Sequence, residues 1–142
     1  MRIQDRPIRS LRDLTRVWRF IDGDFGYDAP QMFALLIDRH DTIVPTVIQV
    51  YDAEWDGGLD AEVMATFLEA HGELLRTEYP GGSLALMRAR PGSPTLTNED
   101  RTWCSMTHEM LVAAPFRTRP LFFATDRSVG VVPPAALAAP TG

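Results

Sequence analysis

The residues best suited to chemistry lie where a predicted strand passes through a loop into a predicted helix. Arg88 and Arg90 stand two apart, so on a strand their side chains project from the same face. Thr97 and Asp100 follow at the predicted start of the helix, where backbone N–H groups lack helical partners. Two guanidinium groups there could hold a phosphate or a carboxylate, which gives the hypothesis of an anion site. The alternative is that the arginines pair with Glu99 or Asp100.

A second candidate is Cys104, the single cysteine of the chain, four residues before His108 in the same predicted helix. That spacing brings two side chains together, and a histidine can activate a thiol. Catalytic thiols usually lie at helix N-termini or in loops, however, and no third group is available to orient this pair. We therefore interpret Cys104 as a buried structural residue. His40 and His71 are isolated, and we predict that neither binds metal.

The acidic loop from Asp52 to Asp60 partly matches an EF-hand calcium loop, with carboxylates at positions 1, 5 and 9 and glycine at position 6. Position 12 is Val63, and Glu62 comes one residue too early, so the bidentate ligand is lost. We predict instead that Asp60 caps the following helix and that Glu62 interacts favourably with its dipole. No metal ion or other cofactor is expected.

The first predicted helix follows Ser10, a suitable N-cap, and its apolar residues recur at helical spacing. Its other face carries a basic stripe of four residues, Arg9, Arg12, Arg16 and Arg19. Residues 1–20 hold six arginines against two aspartates, a charge of +4, whereas the remainder holds eight arginines against seventeen acids, −9. We interpret the stripe as a solvated face. The alternative is a contact with an acidic protein partner, including a second copy of this chain.

Two apolar stretches, Met32–Ile37 and Ile43–Val50, predict a hairpin joined by a tight turn. Pro45 cannot donate to a strand ladder, so the second strand should be an edge strand or irregular at that point. A helix is predicted after Asp60, ending before Pro80. Its apolar residues suit one buried face, and they are Val63, Phe67, Leu68, Leu74 and Leu75.

The buried strand Ser83–Met87 leads into the candidate site, and Thr97-x-x-Asp100 is close to a capping box that starts the next helix. Strands are predicted near Leu121–Ala124 and Val129–Val132. The order α-β-β-α-β-α-β-β predicts an α/β (α+β) sandwich, with one mixed sheet of about five strands flanked by three helices. We expect a single domain over residues 1–132 and a disordered Pro/Ala-rich tail over 133–142.

The order of these elements and the residues at the strand end resemble the JAMM (JAB/MPN-type) metalloprotease superfamily, particularly its RadC-like branch. The family motif is His-x-His, seven residues, Ser, two residues, Asp, with Pro directly after the second His. This chain has Arg88-x-Arg90 with Pro91 directly after the second arginine, and six residues, Pro91 included, separate Arg90 from Thr97-x-x-Asp100. The resemblance, which spans roughly residues 32–132, implies that Asp100 occupies the place of a zinc-ligating carboxylate and Thr97 that of a substrate-polarising hydroxyl.

Arginines in place of both histidines change what this resemblance implies. A guanidinium stays protonated and cannot donate a lone pair to Zn²⁺. No counterpart of the family's catalytic glutamate is apparent either. The resemblance therefore implies a pseudoenzyme, a relative that keeps the fold without the reaction.

Composition limits the class of protein. With 45% hydrophobic and 23% charged residues, the 142-residue chain is the size of one domain with a real core. No apolar run approaches the roughly 18 residues of a membrane span, the N-terminus lacks an apolar signal core, and only one cysteine is present, so we expect a soluble cytoplasmic protein. All 14 basic residues are arginine, a bias typical of a high-GC bacterial genome, and the net charge of −5 argues against general nucleic-acid binding.

Three functions remain open at this point. The resemblance favours a non-catalytic interaction or regulatory domain on a JAMM-like scaffold, which binds a protein partner or dimerises through its sheet edge or its Arg88/Arg90 surface. The alternative is a protein that binds a small anion or a nucleotide with Arg88 and Arg90 at the strand–loop–helix junction. The third is a hydrolase with an unrecognised site, although no nucleophile, base and orienting group converge and the expectation is that the protein is not an enzyme.

Overall fold

The computed structural model describes residues 6–22 and 26–137 of the chain, and it confirms the mixed α+β class. Four α-helices are described, namely α1 Leu11–Asp22, α2 Ala61–Glu78, α3 Asn98–Ala113 and α4 Pro134–Leu137. The strands are β1 Gln31–Ile37, β2 Ile43–Tyr51, β3 Ser83–Ala89, β4 Arg117–Thr118, β5 Phe122–Thr125 and β6 Ser128–Val131. A short 3₁₀ turn, Asp52–Glu54, follows β2.

The six strands form one mixed sheet, in which five strands follow the order β2-β1-β3-β5-β6 and the short β4 pairs with β3. The strand β1 is antiparallel to both β2 and β3, which confirms the predicted hairpin. β3 runs parallel to β5, and to the two-residue β4, which sequence patterns did not predict. Because β3 and β5 are parallel, the chain must cross over between them, and α3 makes that crossover.

Both faces of the sheet are covered, so β1 and β3 are buried almost throughout. Alternate residues of each strand face opposite layers. One core lies under α1, and its main members are Leu14, Val17, Trp18, Phe33, Leu35, Met87 and Phe122. The other lies under α2 and α3, and its main members are Met32, Ala34, Met64, Leu68, Leu84, Leu86, Cys104 and Phe123. The fold is therefore a three-layer sandwich, with the candidate residues at one end of its central strand.

The strand β2 lies at the edge of the sheet and is irregular around Pro45, as its sequence predicts. Leu35 pairs with Val47 whereas Ile37 pairs with Ile43, so β2 uses more residues than β1 over this stretch. Pro45 itself is exposed. A proline is accommodated here because the edge strand does not need its missing donor.

The helix α1 has the amphipathic character that its sequence predicts. Ser10 Oγ accepts a hydrogen bond from the Asp13 N–H at 3.1 Å, and the predicted apolar face is buried through Leu14, Val17 and Trp18. The basic stripe is exposed, and so is Phe20, with 68% of its surface accessible. None of the described helices combines the length and the apolar character needed to cross a membrane.

The predicted disordered tail is wrong for its first residues. Pro134–Leu137 form the helix α4, and Ala136 is only 4% exposed. Ser105 Oγ donates to the Ala136 carbonyl at 3.1 Å, which ties α4 to α3. The small side chains that suggested disorder instead let this segment lie close against α3. Residues 138–142 lie outside the described part of the chain.

Candidate functional site

The Arg90 guanidinium lies at the end of β3 and is enclosed by its own loop and by α3. Its Nε donates to both carboxylate oxygens of Asp100, at 3.1 and 3.0 Å, and Nη2 donates to Asp100 Oδ2 at 2.7 Å. Nη1 donates to the carbonyls of Pro91 and Ser93, at 3.0 and 2.9 Å, and Nη2 donates to the Thr95 carbonyl at 2.9 Å. A guanidinium has five N–H donors. All of them are used within the protein, so Arg90 has none left for an external anion.

Asp100 completes this network from the first turn of α3. Its carboxylate accepts the Thr97 N–H at 2.8 Å, while Thr97 Oγ1 accepts the Asp100 N–H at 3.1 Å, which confirms the predicted capping box. Burial by itself raises the pKa of Asp100, but the hydrogen bonds from Arg90 and Thr97 outweigh burial and lower it. The same carboxylate raises the pKa of Arg90. The two side chains therefore form a fully ionised pair at neutral pH.

Arg88 points to the same layer of the fold but has a different partner. Its guanidinium contacts the Asp52 carboxylate in a bidentate pair, with Nη2 2.7 Å from Oδ2, and lies 4.6 Å from the centre of the Trp103 ring. Trp103 Nε1 in turn donates to the Leu59 carbonyl at 2.9 Å. The side chain of Arg88 is only 12% exposed. These contacts fasten the acidic loop after β2 to the centre of the sheet and to α3.

The structure thus brings Arg90, Thr97 and Asp100 together and directs Arg88 to another carboxylate. Internal pairing was the sequence alternative to an anion site. Arg90 pairs with Asp100, as that alternative predicts. For Arg88 the prediction is wrong, because its partner is Asp52 and not Glu99 or Asp100. Asp52 lies 36 residues earlier in the chain, so only tertiary structure brings it here.

The residues at this junction do not fit a zinc ion. The Asp100 carboxylate is already engaged by a guanidinium, and neither arginine can act as a ligand. Over residues 6–22 and 26–137, no group of three or more His, Cys, Asp or Glu side chains is arranged to hold a metal. The hydrogen bonds of Arg90 join the end of β3 to its loop and to the first turn of α3.

Cys104 is a buried thiol, as its position on the apolar stripe predicts. Its exposure is 0%. Burial raises the pKa of Cys104 to about 12, and the negative charge of Asp100 adds to this effect while Arg88 opposes it. The thiolate is the nucleophilic form of cysteine. Cys104 is therefore protonated and inert at physiological pH.

Several carboxylates of the acidic loop have partners within the fold. Asp52 pairs with Arg88, and Asp60 Oδ1 accepts the Val63 N–H at 2.9 Å, which confirms Asp60 as the N-cap of α2. Gly57, at the EF-hand glycine position, has φ of 85°, a conformation that favours glycine. The conformation of this loop thus depends on the Asp60 cap, the turn at Gly57 and the ion pair between Asp52 and Arg88.

A cluster that sequence patterns did not reveal surrounds Arg119. Its Nε donates to Ser83 Oγ at 2.9 Å, Nη1 donates to the Ile8 carbonyl at 2.8 Å, and Nη2 donates to Asp41 Oδ1 at 2.8 Å. Only 14% of the Arg119 side chain is exposed. One guanidinium therefore joins the N-terminal segment, the hairpin turn and the start of β3.

The described surface also carries an apolar groove, with a volume of about 890 Å³, beside α2 and the end of α3. Its opposite walls come from α2 and from the segment that ends α3, with Pro80–Gly82 closing one end. Phe116 packs across Gly72, where an added Cβ would come within 2.6 Å of the ring. Binding sites commonly have volumes of roughly 300–1,000 Å³. The residues that line it include Ala65, Leu68, Glu69, Gly72, Glu73, Leu75, Arg76, Met110, Ala113, Phe116 and Arg117.

Sequence patterns missed this groove because the apolar residues of α2 were assigned to a single buried face. Of those, Leu68 and Leu75 also line the groove, and small residues at Ala65 and Gly72 extend it along the helix. The sequence feature that could have indicated the groove is the row of small residues on the polar side of this amphipathic helix.

Comparisons of this chain with protein-family models, with curated proteins and with solved structures gave no match.

Proposed function

We propose that this chain is a non-catalytic interaction or regulatory domain of the cytoplasm, which binds a protein partner or a second copy of itself. The observation that carries this proposal is the apolar groove beside α2. Its lining is mostly apolar, and a concave, mostly apolar site of this volume is typical of a binding site. Leu74 and Val112, on the two helices that border it, are also exposed, at 37% and 71%.

The residues of the strand–loop–helix junction support the non-catalytic part of the proposal. Arg90 and Asp100 neutralise each other, and the Cys104 thiol is protonated. A JAMM-like scaffold is consistent with this arrangement, because the carboxylate expected at the zinc site contacts a guanidinium instead. On that interpretation Arg90 fills the metal position with a positive charge of the chain's own. The anion-binding alternative has weaker support, because Arg90 has no donor to spare.

The experiment compares two exposed alanines of α2, of which Ala65 lines the groove and Ala70 does not. The Ala65→Phe variant should lose any partner that copurifies with the tagged wild-type chain, or should dissociate a dimer measured by light scattering. The Ala70→Phe variant should retain both. Equal behaviour of the two variants would contradict an interaction through the groove.

The anion alternative has its own measurement, a thermal shift in millimolar phosphate and nucleotides. A ligand that binds only the folded state raises its melting temperature by mass action. We expect no shift. A shift that disappears in an Arg88→Ala/Arg90→Ala variant would favour the anion-binding function over the interaction domain.

A further inference from the structure

We infer that the groove receives an amphipathic helix of a partner protein, with a basic residue at one end of its apolar stripe and an acidic residue at the other. This inference rests on the proposed function and specifies the chemistry of the partner. Its support comes from the length of the groove, the spacing of its wall residues and the charges at its two ends.

The wall formed by α2 has the dimensions of a helix-docking surface. The lining residues from Ala65 to Arg76 recur every three or four positions, so they form one continuous strip along the helix. Eleven residues at 1.5 Å each give a strip of about 16 Å, which is three turns of a partner helix. The facing wall carries Met110 and Ala113 of α3. A helix laid between them would present residues at i, i+3, i+4 and i+7 to the apolar floor, the usual helix-in-groove pattern.

Small side chains set how closely such a helix can approach. Ala65 and Ala113 project only a methyl group, and both are exposed. The Phe116 ring lies directly against Gly72, so the lining is aromatic where these two residues meet. The distance between packed helices depends on the side chains at their contact, and small residues allow the closer values.

Four charged residues line the groove, and two of them, Glu73 and Arg76, form an ion pair with each other. The charges that face a partner are therefore those of Glu69, within the N-terminal half of the strip, and of Arg117, beyond its C-terminal end. Glu69, on the N-terminal side of the strip, is exposed and forms no ion pair within residues 6–22 and 26–137. At the other end Arg117 is 59% exposed, and its ion-pair contact, with Asp41, is long at 4.0 Å. Arg117 also lies 3.4 Å from the Gly81 carbonyl, just beyond the end of α2.

The charges of Glu69 and Arg117 define the charges that a partner helix needs. From Glu69 to the end of α2 at Glu78 is nine residues, or about 14 Å along the axis. A partner helix with a basic residue near Glu69 and an acidic residue near Arg117 therefore needs the two charges about nine residues apart. With its N-terminus toward Glu69, the positive end of the partner's helix dipole would face this carboxylate and the negative end would face Arg117.

The experiment uses a fluorescent, hydrocarbon-stapled model peptide of 14 residues, since an unstapled helix of this length is marginal in water. It carries a leucine and alanine stripe, a lysine near its N-terminus and a glutamate nine residues later. A control peptide of the same composition distributes the leucines around the helix. Anisotropy with the full chain should show saturable binding of the striped peptide, at least about tenfold tighter than binding of the control peptide.

Variants of the protein locate the binding. Ala65→Phe on one wall and Ala113→Phe on the other should each weaken binding by about tenfold or more, whereas Ala70→Phe should not. Glu69→Lys should weaken binding by about two- to fivefold, and more at low salt, compared with Glu109→Lys, a change at an exposed glutamate outside the groove. Circular dichroism and melting temperatures check that each variant is folded. The two wall variants together keep the test valid if one of them misfolds.

Three results would overturn the inference: no saturable binding by the striped peptide, equal binding of the two peptides, or binding that both wall variants leave intact. A wild-type dimer that Ala65→Phe dissociates would assign the groove to a second copy instead. If Ala65→Phe removes a copurifying partner while the peptide fails to bind, the proposed function stands and only the helical partner is excluded. If neither effect is seen, both proposals fail.

Discussion

Replacing Arg90 with methionine is the sharpest test of the structural role assigned to the strand–loop–helix junction. Methionine keeps an unbranched side chain, which preserves the packing near Phe123, but removes all five guanidinium donors. The Asp100 carboxylate, whose side chain is 9% exposed, then loses its cation. It keeps only the hydrogen bond from the Thr97 N–H.

The expected loss of stability in Arg90→Met is estimated from the removal of one partner of a buried ion pair, which leaves the other charge unpaired and costs about 3–5 kcal/mol. The lower end applies here because both side chains retain some exposure and Thr97 still donates to Asp100. We expect the free energy of unfolding to fall by about 3 kcal/mol. With a urea m-value of about 2 kcal/mol/M, the midpoint should fall by about 1.5 M.

Urea unfolding monitored by far-ultraviolet circular dichroism and tryptophan fluorescence measures this change, and coincident curves would justify a two-state treatment. Arg101→Met is the matched control, because Arg101 is an exposed arginine of α3, and it should change stability by less than about 0.5 kcal/mol. Adding Asp100→Asn to Arg90→Met should recover part of the loss by removing the unpaired charge. A loss under about 1 kcal/mol for Arg90→Met, close to that of the control, would refute the buried-pair reasoning.

The other predictions concern stability and reactivity. Folding lowers the pKa of Asp100 from its usual 3.8, so the Arg90–Asp100 pair stabilises the fold above that pH. This contribution is lost as the pH falls through the folded-state pKa. Urea midpoints of the wild-type chain should therefore decline more steeply below pH 3.8 than those of Asp100→Asn. Cys104 should not react with a thiol reagent such as dithionitrobenzoate until the chain unfolds, and rapid native labelling would contradict its burial and its raised pKa. Gly82→Ala should destabilise the fold by about 2 kcal/mol or more, because an added Cβ would lie 2.6 Å from the Ile37 carbonyl oxygen, while Gly130→Ala, with open space around it, should be nearly neutral in the same melting assay.

Local signals carried most of the fold prediction. The caps at Ser10, Asp60 and Thr97 depend on residues within four positions, so their side chains and spacing indicate each helix start. The alternation of apolar residues likewise predicts the hairpin and its edge strand. Pro134–Leu137 was missed because its composition suggests disorder, whereas its contact with α3 depends on tertiary packing.

The candidate site was predictable only in part, for the same reason. Arg90 and Asp100 are ten residues apart across one loop, and the sequence predicts their ion pair as the alternative to an anion site. Arg88 and Asp52 are separated by a helix and a strand, and Arg119 contacts Ile8 across 111 residues. Such pairs depend on the order of strands in the sheet, which the hydrophobic pattern alone does not specify.

The irregular edge of the sheet has a consequence for solubility. An exposed edge strand offers unpaired N–H and C=O groups to strands of other molecules, and long regular edges favour aggregation. In β2, Pro45 removes a donor and the register shift breaks the strand, so regular pairing with β1 continues only from Val47 to Tyr51. A second sheet cannot align along the whole of β2 without the same irregularity. The bulge around Pro45 therefore makes the β2 edge a poor template for strand addition while leaving the pairing of β1 with β3 undisturbed.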